Sequence, residues 1–458
     1  MIYEEQTTMR IRRVKWKDHP VLGSLDLDFI NTASGQPFRT VIFAGENGAG
    51  KSTVLEDLSS FLNLGSFAMF EYIEYTVNGS IYKAIPTSDD TTYQNFFDVI
   101  NPDGTIQRVR SDKVHNPVQI RENPLDLRHY GCVFSKARSD YKTEKITSTS
   151  TSKLDSEKYD TDTNDDFTSL KQLIVDVVNQ DNADYMEMNK LLGATPQPWP
   201  DYYPTSRVYR FKSSFDTFFE GLAYDRVKDE AGEKSIVFTK NGKPVPIDKL
   251  STGEKQIVFR GIYLLKNSGI LDNAAVMIDE PELSMHPKWQ EKILQYYMGL
   301  FSSVDGSQKA QLFFATHSDH ILKHALADQA NNLVIVLERE GDIIRTKRID
   351  SPSVLPSITS AETNFLAFDL ISNDYHIELY GWLQDKKSKS TVKSCDDYIV
   401  AQLQYNPVHH EKPSRFGRTH YRSLPTYIRN AIHHPSPRNT FTHAELRTSI
   451  SLLIDLLK

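Results

Sequence analysis

Cysteine is scarce: the 458 residues contain two, Cys132 and Cys395, far apart along the chain. A disulfide framework is therefore not expected, and the usage points to a reducing cytoplasm. No run approaches the roughly 20 apolar residues that span a bilayer, so no membrane-embedded role is expected. The first 13 residues are charged and lack the apolar core of a secretion signal. Neither sign of charge dominates, with 53 Lys and Arg against 60 Asp and Glu and a formal net charge of −7. The chain as a whole is no polycation, and nucleic-acid binding would need a local basic patch. Internal repeats and sustained heptads are missing too, which argues against repeat arrays and long coiled-coil arms.

What is present is an ordinary globular composition, long enough for two or three compact units. Met9–Trp16 and residues 23–29 alternate as strands do. Residues 38–44 read as a buried strand running into a glycine-rich turn and then an apolar helix, 53–61. Residues 170–192 carry apolar positions at helical spacing. The Ser-, Thr-, Asp- and Lys-rich stretch 143–166 before them predicts a mobile loop. Residues 236–239 and 244–247 flank Asn241-Gly242 as a hairpin would. Residues 274–278 and Gln311–Ala315 are short apolar runs of the parallel-sheet kind. Residues 333–338 and Ile343–Ile349 pair around Glu340-Gly341-Asp342. Beyond Ser351 helical patterns dominate, interrupted by a polar stretch at 385–413. The expected organisation is an α/β head over residues 1–350 with a helical insertion near 140–220, then an all-α domain over 351–458.

Gly45-Glu46-Asn47-Gly48-Ala49-Gly50-Lys51-Ser52 fits the phosphate-binding loop G-x-x-x-x-G-K-S/T. Its glycines let backbone N–H groups curl around phosphates, and Lys51 supplies a cation to the β/γ oxygens. Ser52 can ligate Mg²⁺, and the helix entered at Ser52 and Thr53 points its positive end at the anion. The residues expected to contact ATP are thus Gly45, Asn47, Gly48, Ala49, Gly50, Lys51, Ser52 and Thr53. A second element, Val276-Met277-Ile278-Asp279-Glu280-Pro281-Glu282, is an apolar strand ending in acids. Asp279 is placed to orient Mg²⁺, and Glu280 to polarise an attacking water as general base.

The third element, Leu250-Ser251-Thr252-Gly253-Glu254, lies about 30 residues before Asp279. Taken alone it is an N-capped helix start. Together with the first two it resembles the signature L-S-x-G-E/Q of the ABC ATPase superfamily. The resemblance implies an ABC-type P-loop head in which Ser251, Gly253 and Glu254 cap the ATP of a second copy of the chain. Phe313-Phe314-Ala315-Thr316-His317-Ser318 matches that family's switch histidine, which makes His317 a second candidate catalytic residue. Residues 282–287 resemble its dimer-contacting loop. The family's γ-phosphate-sensing glutamine has no counterpart here; residues 133–138, ending in Arg138, occupy about that place.

After Ser351 no Asp-x-Asp occurs, only Asp396-Asp397, which argues against a built-in Toprim nuclease. Arg429 and His434 stand in an Arg-x-x-x-x-His pattern between helices. That pattern resembles HEPN-type helical domains, where such residues act in RNA cleavage, but it is equally a structural cluster tying helices together. A capping box at Thr442-His443-Ala444-Glu445 opens a final amphipathic helix with Leu446, Ile450, Leu453, Ile454 and Leu457 on one face.

An ABC-type head with a helical tail resembles the ATPases of the Septu antiphage system, the PtuA family, and their retron-associated relatives, with an SMC/RecF-like head. The resemblance implies a homo-oligomer built from dimers, a separate HNH nuclease as partner, and cleavage of DNA under nucleotide control. The alternatives are an ATP-gated HEPN ribonuclease and a RecF/SMC-like DNA-repair ATPase.

Overall fold

Short apolar segments bounded by charge organise the first half of the architecture. The computed structural model describes residues 8–88, 96–110, 120, 122–138, 140–151, 153–161, 167–193, 195–230, 232–303, 305–350 and 353–458. The chain divides into two units, residues 1–321 with 331–347 and residues 322–330 with 348–458. Up to residue 110 the strands are β1 (Met9–Trp16), β2 (Asp26–Asp28), β3 (Thr40–Ala44), β4 (Phe70–Val77), β5 (Ser80–Pro86), β6 (Phe96–Ile100) and β7 (Ile106–Arg110). They continue with β8 (Cys132–Ser135), β9 (Tyr159–Thr161), β10 (Leu222–Glu230), β11 (Glu233–Lys240), β12 (Lys243–Pro246), β13 (Ala275–Asp279), β14 (Gln311–Ala315), β15 (Asn332–Glu340) and β16 (Ile343–Ile349).

A seven-stranded sheet runs β16-β15-β3-β14-β13-β8-β9, with parallel pairing from β15 through β9. Successive residues of a strand face opposite sides, and here both sides are buried. Val41, Phe43, Ala275, Met277, Phe313 and Ala315 join one core cluster. Their neighbours Ile42, Val276, Ile278, Leu312 and Phe314 are buried as well, as parallel sheets require. The first cluster also holds helix α1 (Lys51–Leu62), through Val54, Leu55, Leu58, Phe61 and Leu62, and the inner face of a six-stranded antiparallel sheet, β2-β1-β4-β5-β6-β7. Truncating Phe43 or Phe313 to Ala in this packing would cost about 3–5 kcal/mol. The buried amide of Gln311 joins the two sheets: it accepts from Ile11 N–H at 2.8 Å and donates to the carbonyls of Ile11 and Phe38 at 3.0 and 2.9 Å.

Residues 140–220 contain helices α2 (Phe167–Leu192) and α3 (Tyr209–Phe218), and the antiparallel sheet β10-β11-β12 follows them. The β11–β12 turn has Asn241 at φ 49° and Gly242 at φ 76°, both left-handed, as a two-residue type I′ hairpin needs. The polar stretch 143–166 departs from its expectation as a loose loop over its described part. Ile146 is buried and its carbonyl accepts from Lys234 N–H at 2.7 Å. Ser150 bonds Asp176 through both its N–H and its hydroxyl, and Tyr159–Thr161 adds an edge strand beside β8. Polar composition did not prevent order here, because the hydroxyls meet carboxylates of the neighbouring helix. Residues 152 and 162–166 lie outside the described residues. Helices α4 (Thr252–Leu265), α5 (Pro287–Leu300) and α6 (Asp319–Ala327) follow, and Tyr297 of α5 packs on Phe314 with ring centroids 6.5 Å apart.

In the second unit, helices α7 (Ser360–Phe368), α8 (Asn373–Lys386), α9 (Val392–Val400), α10 (Leu424–His433) and α11 (His443–Leu457) share one core. Each starts at a hydroxyl cap: Thr359, Ser372, Thr391, Ser423 and Thr442 accept from backbone N–H groups of the first turn. Asp369 adopts φ 52° at the end of α7, and Ser372 restarts the chain as the N-cap of α8. In α11, Leu446, Ile450, Leu453 and Leu457 are buried together with Leu452 and Leu456, a face wider than one stripe. The tail is helical as expected. It carries in addition a β-hairpin, β17 (Glu411–Phe416) and β18 (Thr419–Ser423), in the polar stretch.

Candidate nucleotide-binding site

The loop between β3 and α1 is built around three glycines that no other residue can replace without strain. Gly45 has φ 136°, and a Cβ there would lie 2.2 Å from the Leu337 carbonyl oxygen. Gly48 has φ 80°; Gly50, at φ 93°, is the N-cap of α1. The result is a backbone cradle at a helix N-terminus, the arrangement that collects N–H groups around phosphate. Glu46, Asn47 and Gly48 are exposed at its rim, Ala49 is buried beneath it, and Thr53 lies in the first helical turn. Lys51 is buried and curls back to donate to the carbonyls of Gly45 and Glu46 at 2.7 and 2.9 Å. Burial pushes its ammonium below the usual range, opposed by Glu280, Asp279 and Glu282. A cation so poorly solvated and tied to neutral carbonyls gains when an anion enters the cradle.

The Ser52 hydroxyl donates to Asp279 Oδ1 at 3.0 Å. Parallel pairing brings the end of β13 beside β14 and β14 beside β3, which sets Asp279 at the start of α1. Burial pushes the Asp279 carboxyl up to about 6, against the Ser52 bond that lowers it. A hydroxyl and a half-desolvated carboxylate at the mouth of a phosphate cradle are a hard-oxygen donor set suited to Mg²⁺. Glu280 follows at φ 41°, a left-handed backbone rare outside glycine, fixed by its N–H donating to the Ala315 carbonyl at 2.8 Å. Its carboxylate stands 3.6 Å from His317 Nδ1. The structure thus gathers Lys51, Ser52, Asp279, Glu280 and His317, from three separate stretches of sequence, into one place.

Two residues of this place carried no role in the sequence beyond their neighbours' motifs. Glu282 is buried; its Oε1 accepts from the Thr316 hydroxyl at 2.7 Å and from His317 N–H at 3.1 Å. Oε2 is buried and has no partner among the described residues, and desolvation raises the carboxyl's affinity for a proton, against the Thr316 bond. Arg260 of α4, also buried, donates to the carbonyls of Asp279 at 3.0 Å, Glu280 at 3.2 Å and Lys136 at 2.6 Å. It therefore ties α4 to the acids and to the chain after β8. The signal for it was a lone charge inside the apolar run Ile257–Leu265. The glutamine-loop position stays without a glutamine: Lys136 pairs with Glu56 at 2.8 Å, and the Arg138 carbonyl accepts from Tyr141 at 3.3 Å.

Ser251 caps α4 in a reciprocal box. Its N–H and hydroxyl both donate to Glu254 Oε2 at 2.8 Å, and its Oγ accepts from Glu254 N–H. Burial alone would raise the Glu254 carboxyl; Lys240 at 2.7 Å and the Ser251 bonds outweigh it and hold it below its usual range. A Cβ on Gly253 would lie 2.7 Å from the Ser284 carbonyl oxygen, so this helix start is seated on the loop after Pro281. Ser251 and Thr252 are exposed. Ser251 lies nine residues before Arg260, roughly 13 Å along the helix from the side chain that touches the acids. The signature start and the Arg260 contact with the Asp279 and Glu280 carbonyls therefore lie on different turns of α4.

In the second unit, Arg429 donates to the Asn430 amide oxygen at 3.0 Å, and the backbone N–H of the exposed His434 donates to the Asn430 carbonyl at 2.9 Å.

The chain is 23% identical over 320 residues to the Septu protein PtuA of Bacillus thuringiensis, a match covering 66% of this chain and 71% of that protein. It is 30% identical over 130 residues to the Retron Vc95 probable ATPase of Vibrio cholerae serotype O1 biovar El Tor, covering 26% of this chain and 23% of that one. Among solved structures, an SMC head bound to the C-terminal winged-helix domain of ScpA aligns with 74% of this chain at 13% identity and a TM-score of 0.40. Residues 41–323, which contain every site residue from the cradle to His317, match the family described as "AAA domain, putative AbiEii toxin, Type IV TA system", and the chain belongs to that AAA-domain family.

Proposed function

We propose that this chain is an ATP-hydrolysing regulatory subunit of an antiphage defence assembly in the cytoplasm, pairing head to head around ATP and governing a separate HNH-type nuclease that cleaves DNA. The observation that carries the ATPase reading is the Ser52–Asp279 hydrogen bond at 3.0 Å, with Lys51, Glu280 and His317 around it. In this reading the cradle of Gly45, Asn47, Gly48, Ala49, Gly50 and Thr53 binds the phosphates of ATP, and Lys51 leaves the carbonyls for them. Ser52 and Asp279 hold Mg²⁺, which when bound neutralises charge on the transferring phosphoryl group. Glu280 accepts the proton of the attacking water, and His317 orients on the γ-phosphate.

The exposed signature start supports a pairing in which Ser251, Gly253 and Glu254 of one copy complete the site of another. Similarity to the Septu protein PtuA supports the defence role; the HNH nuclease and DNA are what the resemblance to the Septu ATPases implies. No helix among the described residues is long and apolar enough to cross a membrane. Both cysteines are free and buried, which agrees with a reducing compartment.

The test is to look for an HNH nuclease gene adjacent to this one and to reconstitute its product with this chain. The two should co-purify, and DNA cleavage by the complex should change with ATP and be insensitive to His434→Ala. A purified chain that cleaves RNA by itself, and loses that activity in His434→Ala, would overturn the reading in favour of a ribonuclease.

A further inference from the structure

The chain is acidic overall, yet the segment 405–443 is not. It holds six Lys and Arg, six His and a single acid, Glu411, whereas the whole chain has 53 Lys and Arg against 60 Asp and Glu. The β17–β18 hairpin stands within it, and its two halves differ. The base is tied down: Arg422 pairs with Glu411 at 3.2 Å, Lys412 pairs with Glu445 and donates to the Thr440 carbonyl, and Asp396 accepts from the N–H groups of Arg422 and Ser423. The tip is not neutralised. Arg415 bonds only the carbonyl of Gly417, and among the described residues neither Arg415 nor Arg418 has an acidic partner.

Register decides where these charges point. Arg415 is the cross-strand partner of His420, so the two share a face, and strand alternation puts Arg422 on the same face. The connection is the two-residue loop Gly417-Arg418, with Gly417 at φ 61°, the first position of a primed turn. Arg418 is therefore carried at the apex. Arg415, Arg418 and His420 are exposed, and no large apolar side chain is exposed among the described side chains of residues 411–423. A protein-docking patch is built the other way, with aromatic or aliphatic anchors at its centre and few charges.

We propose that this hairpin is a contact site for duplex DNA, inserting its cationic face along the major groove and meeting backbone phosphates with Arg415 and Arg418. Strands of six and five residues make a ribbon roughly 20 Å long, and a two-stranded ribbon fits the roughly 12 Å wide major groove of B-form DNA. The deep, narrow major groove of A-form RNA does not admit it. Arginine suits the task because its planar fork pairs with two phosphate oxygens and stays charged. The anchored base supplies rigidity, so little order is lost on binding. This inference rests on the DNA-directed reading of the assembly, but the site lies outside the nucleotide machinery and can be measured without it.

The experiment is fluorescence anisotropy of the full chain with a labelled 25-base-pair DNA duplex, across a salt series, for the parent and for Arg415→Gln/Arg418→Gln. Both substitutions lie at an exposed hairpin tip, and the thermal unfolding profile checks that the fold is unchanged. The double variant should bind at least tenfold more weakly at low salt. The slope of log affinity against log salt should shrink by about 2, one unit for each lost phosphate contact. Running the titrations without ATP or Mg²⁺ keeps nucleotide out of the measurement, which separates this site from the nucleotide reading. Equal affinity and slope for parent and double variant, no duplex binding by the parent, or equal competition by an RNA duplex of the same sequence would each overturn the proposal.

Discussion

The Thr316 hydroxyl donates to the buried Glu282 carboxylate at 2.7 Å, and the same oxygen receives the backbone N–H of His317 at 3.1 Å. Glu282 thus fixes the peptide that carries the histidine, while the His317 ring stays within 3.6 Å of both Glu280 and Glu282. Glu282→Ala should leave ATP binding within about threefold of the parent and lower turnover roughly 10- to 100-fold, the size of effect expected from misplacing a reacting group by about an ångström. Equilibrium binding of a fluorescent ATP analogue and steady-state phosphate release separate the two. Unchanged turnover would show that the histidine needs no such anchor.

Lys51→Ala should weaken ATP binding roughly 10- to 100-fold, the range for losing a hydrogen bond from a charged group. The cradle's backbone is set by Gly45, Gly48 and Gly50 rather than by the lysine, so the fold should stay intact. Isothermal titration with ATP and Mg²⁺ reads the change; affinity within a few-fold of the parent would remove the phosphate-loop assignment.

Glu280→Gln keeps the shape of the site and removes the base. It should bind ATP and Mg²⁺, turn over at least a hundredfold more slowly, and accumulate as head-to-head pairs visible by mass photometry. Parent-like turnover would show that another group activates water.

Lys240 and Glu254, 2.7 Å apart, leave the Ser251 helix start with no net side-chain charge facing an incoming phosphate. Lys240→Met should weaken ATP-driven pairing about fivefold, the upper range for a partly exposed pair. Adding Glu254→Gln should restore it, because the uncompensated carboxylate is then gone. Pairing is followed by sedimentation with ATP in the Glu280→Gln background; no restoration would mean that Lys240 acts otherwise.

In the tail, His376 is buried against Ser449, with Nε2 to Oγ at 2.8 Å, and burial pushes its imidazole down to about 3. The folded tail binds fewer protons there than the unfolded chain, so this contribution is present above about pH 6.5 and is lost as pH falls toward 3. The slope within that window is about 1.4 kcal/mol per pH unit. Hydrogen exchange of α8 and α11 at pH 7 and pH 5 should show the loss, and His376→Gln should flatten it. Equal pH dependence in the variant would place the titration elsewhere.

The parts of the site that the sequence revealed are those whose chemistry is local. The glycine spacing before Lys51, the acids after Met277 and the Ser251 cap each act through their own neighbours, so their motifs survive without a fold. Glu282 and Arg260 act through backbone atoms of distant segments, Thr316 to His317 for one and Lys136, Asp279 and Glu280 for the other. Such partners cannot be read from spacing. The parallel strands β13 and β14 were legible because burial on both faces makes them continuously apolar. Strands β4 to β7 were not, since their one buried face alternates with charge, as at Glu71 and Glu74 between Phe70, Ile73 and Tyr75. The hairpin at 411–423 was hidden by Pro413 and by its charge, and its anchors at Asp396 and Glu445 come from distant segments.

In the proposed function each nucleotide site is finished by Ser251 of another copy. Mixing a Lys51→Ala chain with a Ser251→Arg chain tests it most directly. One of the two composite sites in a mixed pair then carries neither lesion, while every site of either variant alone carries one. With pairs verified by differently tagged chains, ATP turnover should be absent from each variant by itself and should return in the mixture, to at most half the parent rate per chain. A verified mixed pair as inactive as its two parents would contradict completion of the site by a second copy.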